Sequence, residues 1–241
     1  DVAAGVDLDR FRLPVQLVIR PDGDFRGFAG TVVSGVLRPG DPVVSLPSRV
    51  ASTVDRIVSF DGDLDEVGPG DAVTLTLADE IDVSRGDLLV GNDDQPTRSH
   101  EVDAMLVWMA HEEMRPGRQY LLQSANGLVG VSVAAIDYRV DVNSLEHVAA
   151  TELALNDIAR CTITAERELL FDPYSTNRRT GSFVLVDRMD NATVAAGMIL
   201  CASSVWDRSP AAGLVRHRSE ITPEERVARF GQRPCTVLLT G

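Results

Sequence analysis

Between Phe25 and Val90 the chain repeats one pattern: a short β-branched run, then a tight glycine turn, then another run. Arg38-Pro-Gly-Asp41 and Gly68-Pro-Gly-Asp71 are two copies of the same turn, and Ser84-Arg-Gly-Asp87 is a close variant. Pro at the second position presets φ, and Gly at the third accepts a positive φ, so both proline copies read as type II turns. Val43–Leu46 follows the first turn, Val73–Leu77 the second and Leu88–Val90 the third. Val73-Thr-Leu-Thr-Leu77 alternates apolar and polar residues, which predicts a half-buried strand. Turns every 8–12 residues or so, separating six or seven short strands, predict a small closed barrel rather than an open sheet.

The flanking segments fit that frame. Residues 1–10 are small and polar and read as an incoming linker. Asp1 is not a natural start, so the chain is expected to be a piece of a longer one. Leu13–Ile19 is a β-rich run whose Pro14 suits a strand start or edge. Phe28–Leu37 reads as one strand interrupted at Gly30 and Gly35, where bulges or close backbone approach are expected. Asn92–His100 is polar, contains Pro96, and marks the boundary to a second β-rich set: 102–109, 120–123, 129–140, 158–164, 182–186 and 193–200. Asn143 and Glu146 sit at capping-box spacing and predict a brief helical turn. The fold class expected is therefore all-β: a first antiparallel barrel over 11–92 and a second over 98–205.

The tail has different grammar. Residues 206–219 read as a linker. Thr222-Pro-Glu-Glu225 supplies an N-cap, Pro at the first helical position and Glu at the third, predicting a short helix over 223–230 that Gly231 stops. After it, Cys235-Thr-Val-Leu-Leu-Thr-Gly241 reads as a buried-type strand ending on Gly241.

Charge and composition remove several functions. The net charge is −13, and all 23 basic residues are Arg. An acidic surface opposes the phosphate neutralisation on which non-specific nucleic-acid binding rests. Without Lys the chain has neither a Lys phosphate clamp nor a Schiff-base amine. No apolar run reaches the roughly 18 residues a membrane-spanning helix needs. Cys161, Cys201 and Cys235 are odd in number and far apart, which fits a reducing, cytoplasmic setting better than a disulfide framework. The four histidines share no ligand spacing with one another or with the cysteines, so no metal site is expected.

Few side-chain groups suggest chemistry. His111-Glu112-Glu113 precedes a turn and reads as a solvated loop. Asp79, Glu80 and Asp82 form an acidic patch with no pocket in the sequence to shift a carboxyl pKa. Trp108 and Trp206 read as packing residues. No catalytic residue is expected. The stretch Arg20…Asp24-Phe25-Arg26 is the candidate interface loop, with an internal Arg–Asp pair as the plainer reading. Gly241 could be the first residue of a phosphate-cradling G-x-x-x-x-G-K-[ST] loop; read locally, it is a strand ending on glycine.

Several segments together resemble one family. F-R-L-P-V-Q at 11–16, R-P-D-G-D-F-R-G-F-A-G-T at 20–31, R-I-V-S-F-D-G-D at 56–63, L-A-D-E-I-D-V-S-R-G-D-L-L at 77–89, V-W-M-A at 107–110, Y-R-V-D-V-N at 138–143 and V-D-R-M-D-N-A-T-V-A-A-G-M-I at 186–199 resemble the large, GTP-hydrolysing subunit of bacterial sulfate adenylyltransferase. That family is similar to elongation factor Tu, with a GTPase domain ahead of two barrels. The resemblance implies that this chain holds the two barrels only, since the phosphate loop, D-x-x-G and N-K-x-D of the GTPase domain are not present. It implies coupling of GTP hydrolysis to formation of adenosine 5′-phosphosulfate from ATP and sulfate, with a small adenylyltransferase subunit as partner. S-E-I-T-P-E-E-R-V-A-R-F-G-Q-R-P-C-T-V-L-L-T-G at 219–241 resembles the junction into adenylylsulfate kinase in bifunctional fusions. It implies a truncated kinase start at Gly241. GTP, ATP and Mg2+ are implied for the longer protein and no cofactor for this piece. RNA-contacting barrels of a translational GTPase are the alternative, which the charge opposes.

Overall fold

A computed structural model describes residues 8–20, 25–93 and 95–203. Fifteen strands run in chain order through these residues, and no helix occurs among them. The first eight are β1 (Arg12–Pro14), β2 (Leu17–Ile19), β3 (Gly27–Thr31), β4 (Pro42–Leu46), β5 (Val50–Ser59), β6 (Gly62–Asp63), β7 (Ala72–Leu77) and β8 (Leu88–Gly91). They form one antiparallel sheet in the order β1-β8-β4-β5-β7-β3-β2, with β6 paired to β5. The sheet curls until β1 meets the chain after β3: Val33 N–H donates to the Arg12 carbonyl at 2.8 Å, and Arg12 N–H to the Ser34 carbonyl at 3.0 Å. Phe11, Leu13, Phe28, Ile57, Leu75 and Leu89 fill its interior.

The second set comprises β9 (Thr97–Trp108), β10 (Gln119–Ser124), β11 (Gly127–Val140), β12 (His147–Val148), β13 (Ile158–Phe171), β14 (Ser182–Asp187) and β15 (Thr193–Ala202). The order β10-β14-β15-β9-β13-β11 closes on itself through β10–β11 pairing, giving a six-stranded barrel with β12 outside the ring. Alternation drives it. In β9, Val102, Ala104, Leu106 and Trp108 point inward, as period-two geometry requires, and Phe183 and Leu185 do so in β14. Trp108 meets Tyr120 edge to face, with centroids 5.8 Å apart.

The predicted turns form by one device. Asp41, Asp71 and Asp87 each accept, at 2.8 Å, the backbone N–H of the residue three positions earlier, while their own N–H groups donate back to that residue's carbonyl at 3.1 Å. Gly40, Gly70 and Gly86 carry the positive φ. Each of these glycines also donates its N–H at 2.8 Å to a backbone carbonyl, that of Val54 in β5 or of Val32 and Val15 just past β3 and β1. The turn is thereby fastened to the sheet as well as closed on itself. Ala154–Asp157 repeats the device in the second barrel with Asn156 in the left-handed position, and Arg115–Arg118 with Gly117 repeats the turn without the carboxylate.

Three local expectations need correction. The strand over 28–37 ends at Thr31, because Gly35 turns the chain at φ 75° against the Phe11 backbone. The boundary segment is shorter than 92–100, since β9 begins at Thr97 and carries Arg98 and His100. The turn near 143 is capped by Asp141, not Asn143: its carboxylate accepts the N–H groups of Asn143 and Ser144 at 2.9 and 3.1 Å. Those two bonds hold the Asp141 carboxyl below its ordinary pKa. The predicted linker 206–219, helix 223–230 and strand 235–241, with Trp206 and Gly241, lie outside the described residues.

Two consequences are measurable. A Cβ at Gly35 would lie 2.3 Å from the Phe11 backbone, on top of the positive φ, whereas one at Gly68 meets nothing. Gly35→Ala is expected to cost more than about 2 kcal/mol in urea unfolding, and Gly68→Ala less than about 0.5 kcal/mol. Burial pushes the Cys161 thiol and the Tyr120 hydroxyl each up to about 12. Both groups are thus raised above their unfolded values, about 8.5 and 10. Their contribution is complete below those values and is lost as pH rises toward about 12. Urea midpoints should fall across that alkaline window, and Cys161→Ala should flatten its lower part.

Candidate functional site

The two barrels meet along a seam whose centre is one buried ion pair. Arg12, fully buried on β1, sends Nε and Nη2 to the two carboxylate oxygens of Asp172 at 3.1 and 2.9 Å. Asp172 follows β13 directly and opens the loop 172–181. Thr180 Oγ1 donates to the same carboxylate at 2.9 Å, and Arg12 Nη1 donates to the Phe11 carbonyl. Asn177 Nδ2 crosses the seam to Ser34 Oγ at 2.9 Å, and Ser34 Oγ donates to the Arg10 carbonyl at 2.6 Å. The Asn177 Oδ1 accepts the N–H groups of Arg179 and Thr180, so the loop is wound around its own polar core.

Apolar packing flanks this network. Val44 and Leu46 on β4 and Leu88 and Val90 on β8 turn away from the first core and gather with Leu170 of β13. Each such side chain contributes about 1.5–3 kcal/mol when fully buried. Asn126 Nδ2 adds a bond to the Leu170 carbonyl at 2.7 Å. On the other flank the seam opens into a groove of about 830 Å³, with Pro14 and Val33 on one wall and Met105, Val107, Val184 and Met198 on the other. Arg179 stands exposed at its rim.

The candidate interface loop divides. Arg20 is exposed at the end of β2, and Asp24 lies outside the described residues. Arg26 is half-buried; its guanidinium lies 5.5 Å from the Phe28 ring centroid, and it pairs with Asp82 at 3.3 Å. The pairing ties Arg26 to the acidic patch 79–82, a relation the sequence did not disclose. A cavity of about 290 Å³ opens there, bordered by Phe25, Arg26, Arg56, Asp79 and Glu80. Two of its residues are paired: Arg56 binds Asp63 through two bonds at 2.8 and 2.9 Å, and Asp79 accepts from Ser52 Oγ at 2.9 Å. The bidentate pairing holds the Asp63 carboxyl below its ordinary range. His111 and Glu113 are exposed in their loop, and Trp108 Nε1 donates to the Glu112 carbonyl at 2.8 Å. Sequence reasoning missed Arg12 and Asp172. The one signal available was a charged residue inside an otherwise apolar strand start.

This arrangement is recognisable. Residues 29–90 match the family described as elongation factor Tu domain 2, and residues 101–200 match the family described as GTP-eEF1A C-terminal domain-like. The fold agrees: crystal structures of sup35 with GDP and with GMPPNP superpose with TM-scores of 0.72 and 0.73 at 15% identity. They cover 81% and 82% of this chain and 48% and 49% of theirs. The chain belongs to the class of proteins that carry paired elongation-factor-type barrels. Within that class it is a homologue of the sulfate adenylyltransferase large subunits. It is 50% identical over 200 residues to "Sulfate adenylyltransferase subunit 1" of Teredinibacter turnerae, covering 83% of this chain and 43% of that protein. It is 49% identical over 242 residues to "Bifunctional enzyme CysN/CysC" of Rhodopirellula baltica, covering 98% and 37% respectively. The chain thus spans about two fifths of the length of the curated relatives it matches.

The ion pair yields a direct test. Asp172→Ala strands a buried guanidinium, and the expected loss is about 3–5 kcal/mol. Combining Arg12→Met with Asp172→Leu should restore most of it, because no uncompensated charge remains buried. Chemical denaturation of the three proteins decides; a loss below about 1 kcal/mol for Asp172→Ala would remove the pair from its central role.

Proposed function

We propose that this chain is the barrel portion of a sulfate adenylyltransferase large subunit, in which the barrels couple GTP hydrolysis to synthesis of adenosine 5′-phosphosulfate. The observation that carries the reading is the match of 98% of the chain, tail included, to a bifunctional relative at 49% identity. Relatives named "subunit 1" support a second, small subunit as the physiological partner. The bifunctional relative supports a kinase domain fused after the barrels, with Gly241 opening its phosphate loop. On this reading the adenylyl transfer takes place on the small subunit and the kinase step beyond residue 241. GTP, ATP and Mg2+ are bound outside the described residues. The cytoplasm, where those nucleotides are available, is the fitting compartment.

The described residues fit a relay rather than a catalytic role. Arg12, Asp172, Thr180 and Asn177 are engaged in the seam and Asp41, Asp71 and Asp87 in turns, and a seam held by a buried ion pair makes the two barrels move as one body. Such a body can transmit a displacement from a nucleotide-binding domain at one end to a partner at the other. Arg20, Asp24 and Arg26 form the contact loop toward a neighbouring domain in this scheme.

Full-length chain mixed with its small subunit should form adenosine phosphosulfate several-fold faster when GTP is supplied. A non-hydrolysable GTP analogue should not sustain that rate. Equal rates with and without GTP would overturn the coupling. The RNA-binding alternative predicts tight, salt-sensitive retention of tRNA on a filter, and the net charge of −13 predicts none.

A further inference from the structure

A cluster of exposed apolar side chains in the second barrel lies off its ring. From Val142 to Ala149 eight consecutive residues are exposed, and they include Val142 at 62%, Leu145 at 73% and Val148 at 38%. Leu155, at 39%, stands in the same excursion between β11 and β13. This is no slack loop. β12 pairs with the end of β11, with Arg139 opposite Val148 and Val140 opposite His147. Tyr138 and His147 stack with ring centroids 3.7 Å apart. The Asp141 cap, the Leu145 N–H bond to the Asp141 carbonyl at 2.7 Å, and the Asp141 N–H bond to the Glu146 carbonyl at 2.9 Å fix the tip. Arg139 to Asp157 at 3.0 Å and the two reciprocal backbone hydrogen bonds between Met114 and Leu153 fasten its base. Leu145 is held at φ 60°, a conformation that disfavours leucine, with its side chain in water. A built knuckle that displays apolar side chains at a conformational cost calls for a surface to cover them.

The charge around it narrows what that surface is. Over residues 138–157 the carboxylates are Asp141, Glu146, Glu152 and Asp157 and the guanidinium is Arg139 alone, already paired to Asp157. Arg115, alongside, is shared between Glu113 and Glu152. The carboxylates repel phosphate, so neither a nucleic acid nor an anionic membrane suits the knuckle. A second copy would set Glu146 and Asp141 against their own kind. A protein surface with an apolar recess and a basic rim would complement it.

We propose that the Val142–Val148 knuckle is the docking element for the companion small subunit, seated in an apolar recess rimmed by Arg or Lys on that subunit. The proposal rests on the sulfate adenylyltransferase reading above. Complementary charge would speed and orient encounter, while Leu145 and Val142 supply the buried anchor.

The test uses the full-length chain and the purified small subunit. Leu145→Asn suits the left-handed φ, so it removes the anchor without straining the turn. Leu145→Asn and Val142→Asp should each weaken association at least tenfold by calorimetry, with urea midpoints unchanged. Glu146→Arg should weaken it further at low salt than at high salt. Wild-type affinity in both apolar variants would overturn the knuckle while leaving the functional reading intact. No association of the wild-type proteins would overturn both. Loss of a self-associated form by sedimentation, with small-subunit binding untouched, would assign the knuckle to a second copy and overturn the proposal.

Discussion

The pairing of Arg12 with Asp172 is the constraint on which the rest of the described structure depends. A guanidinium at zero exposure is tolerable only when its charge is matched and its donors are filled. Two carboxylate oxygens, the Phe11 carbonyl and the shape of loop 172–181 do this. Asp172 in turn is held by Thr180, and Asn177 reaches back to Ser34, so the loop from one barrel completes a polar core begun in the other. Because either charge alone would be stranded, the barrels cannot slide along the seam without a large cost. Val44, Leu46, Leu88, Val90 and Leu170 then add non-directional cohesion beside a contact that is strictly directional.

The same economy of polar groups governs the turns. A turn closed by an Asp carboxylate and an i+3 bond leaves one N–H, that of the left-handed residue, pointing inward. Here that N–H bonds the carbonyl of Val54 in β5, or of Val32 and Val15 at the ends of β3 and β1. Each turn therefore fixes a register between strands distant in sequence, which is what a barrel of short strands needs to choose one closure. Asn156 substitutes for glycine in the last copy, as a residue whose short polar side chain tolerates that conformation.

These features bear on function through rigidity. On the proposed relay reading, a body made of two barrels with an ion-paired seam, fastened turns and one well-braced knuckle would carry a displacement between partners. Several charged side chains are held by structural bonds. Asp187 shows the pattern: its carboxylate caps the turn at Met189 and receives Arg118, and those bonds keep it below its usual pKa, as for a structural carboxylate rather than an acid–base catalyst.

Much of this was legible in the sequence, and for definite reasons. Pro-Gly-Asp turns act within four residues, so Arg38–Asp41 and Gly68–Asp71 declare themselves locally, and alternation over Val73–Leu77 reports a half-buried strand. The run Leu88-Leu-Val90 reads from the sequence only as a strand that follows a turn. Only the fold revealed that its second face meets another barrel. The cap at Asp141 was misplaced to Asn143 because two polar residues compete for the same role within one turn. The Arg12–Asp172 pair spans 160 positions, and nothing local joins them. Arg26 likewise gave no hint of Asp82. Sequence by itself determined most of the strands, the Pro-Gly turns and the family, since these rest on short-range stereochemistry and residue identity. The seam, the groove and the exposed knuckle were decided by tertiary structure, because closure of two sheets sets which distant charges lose their water and must find each other.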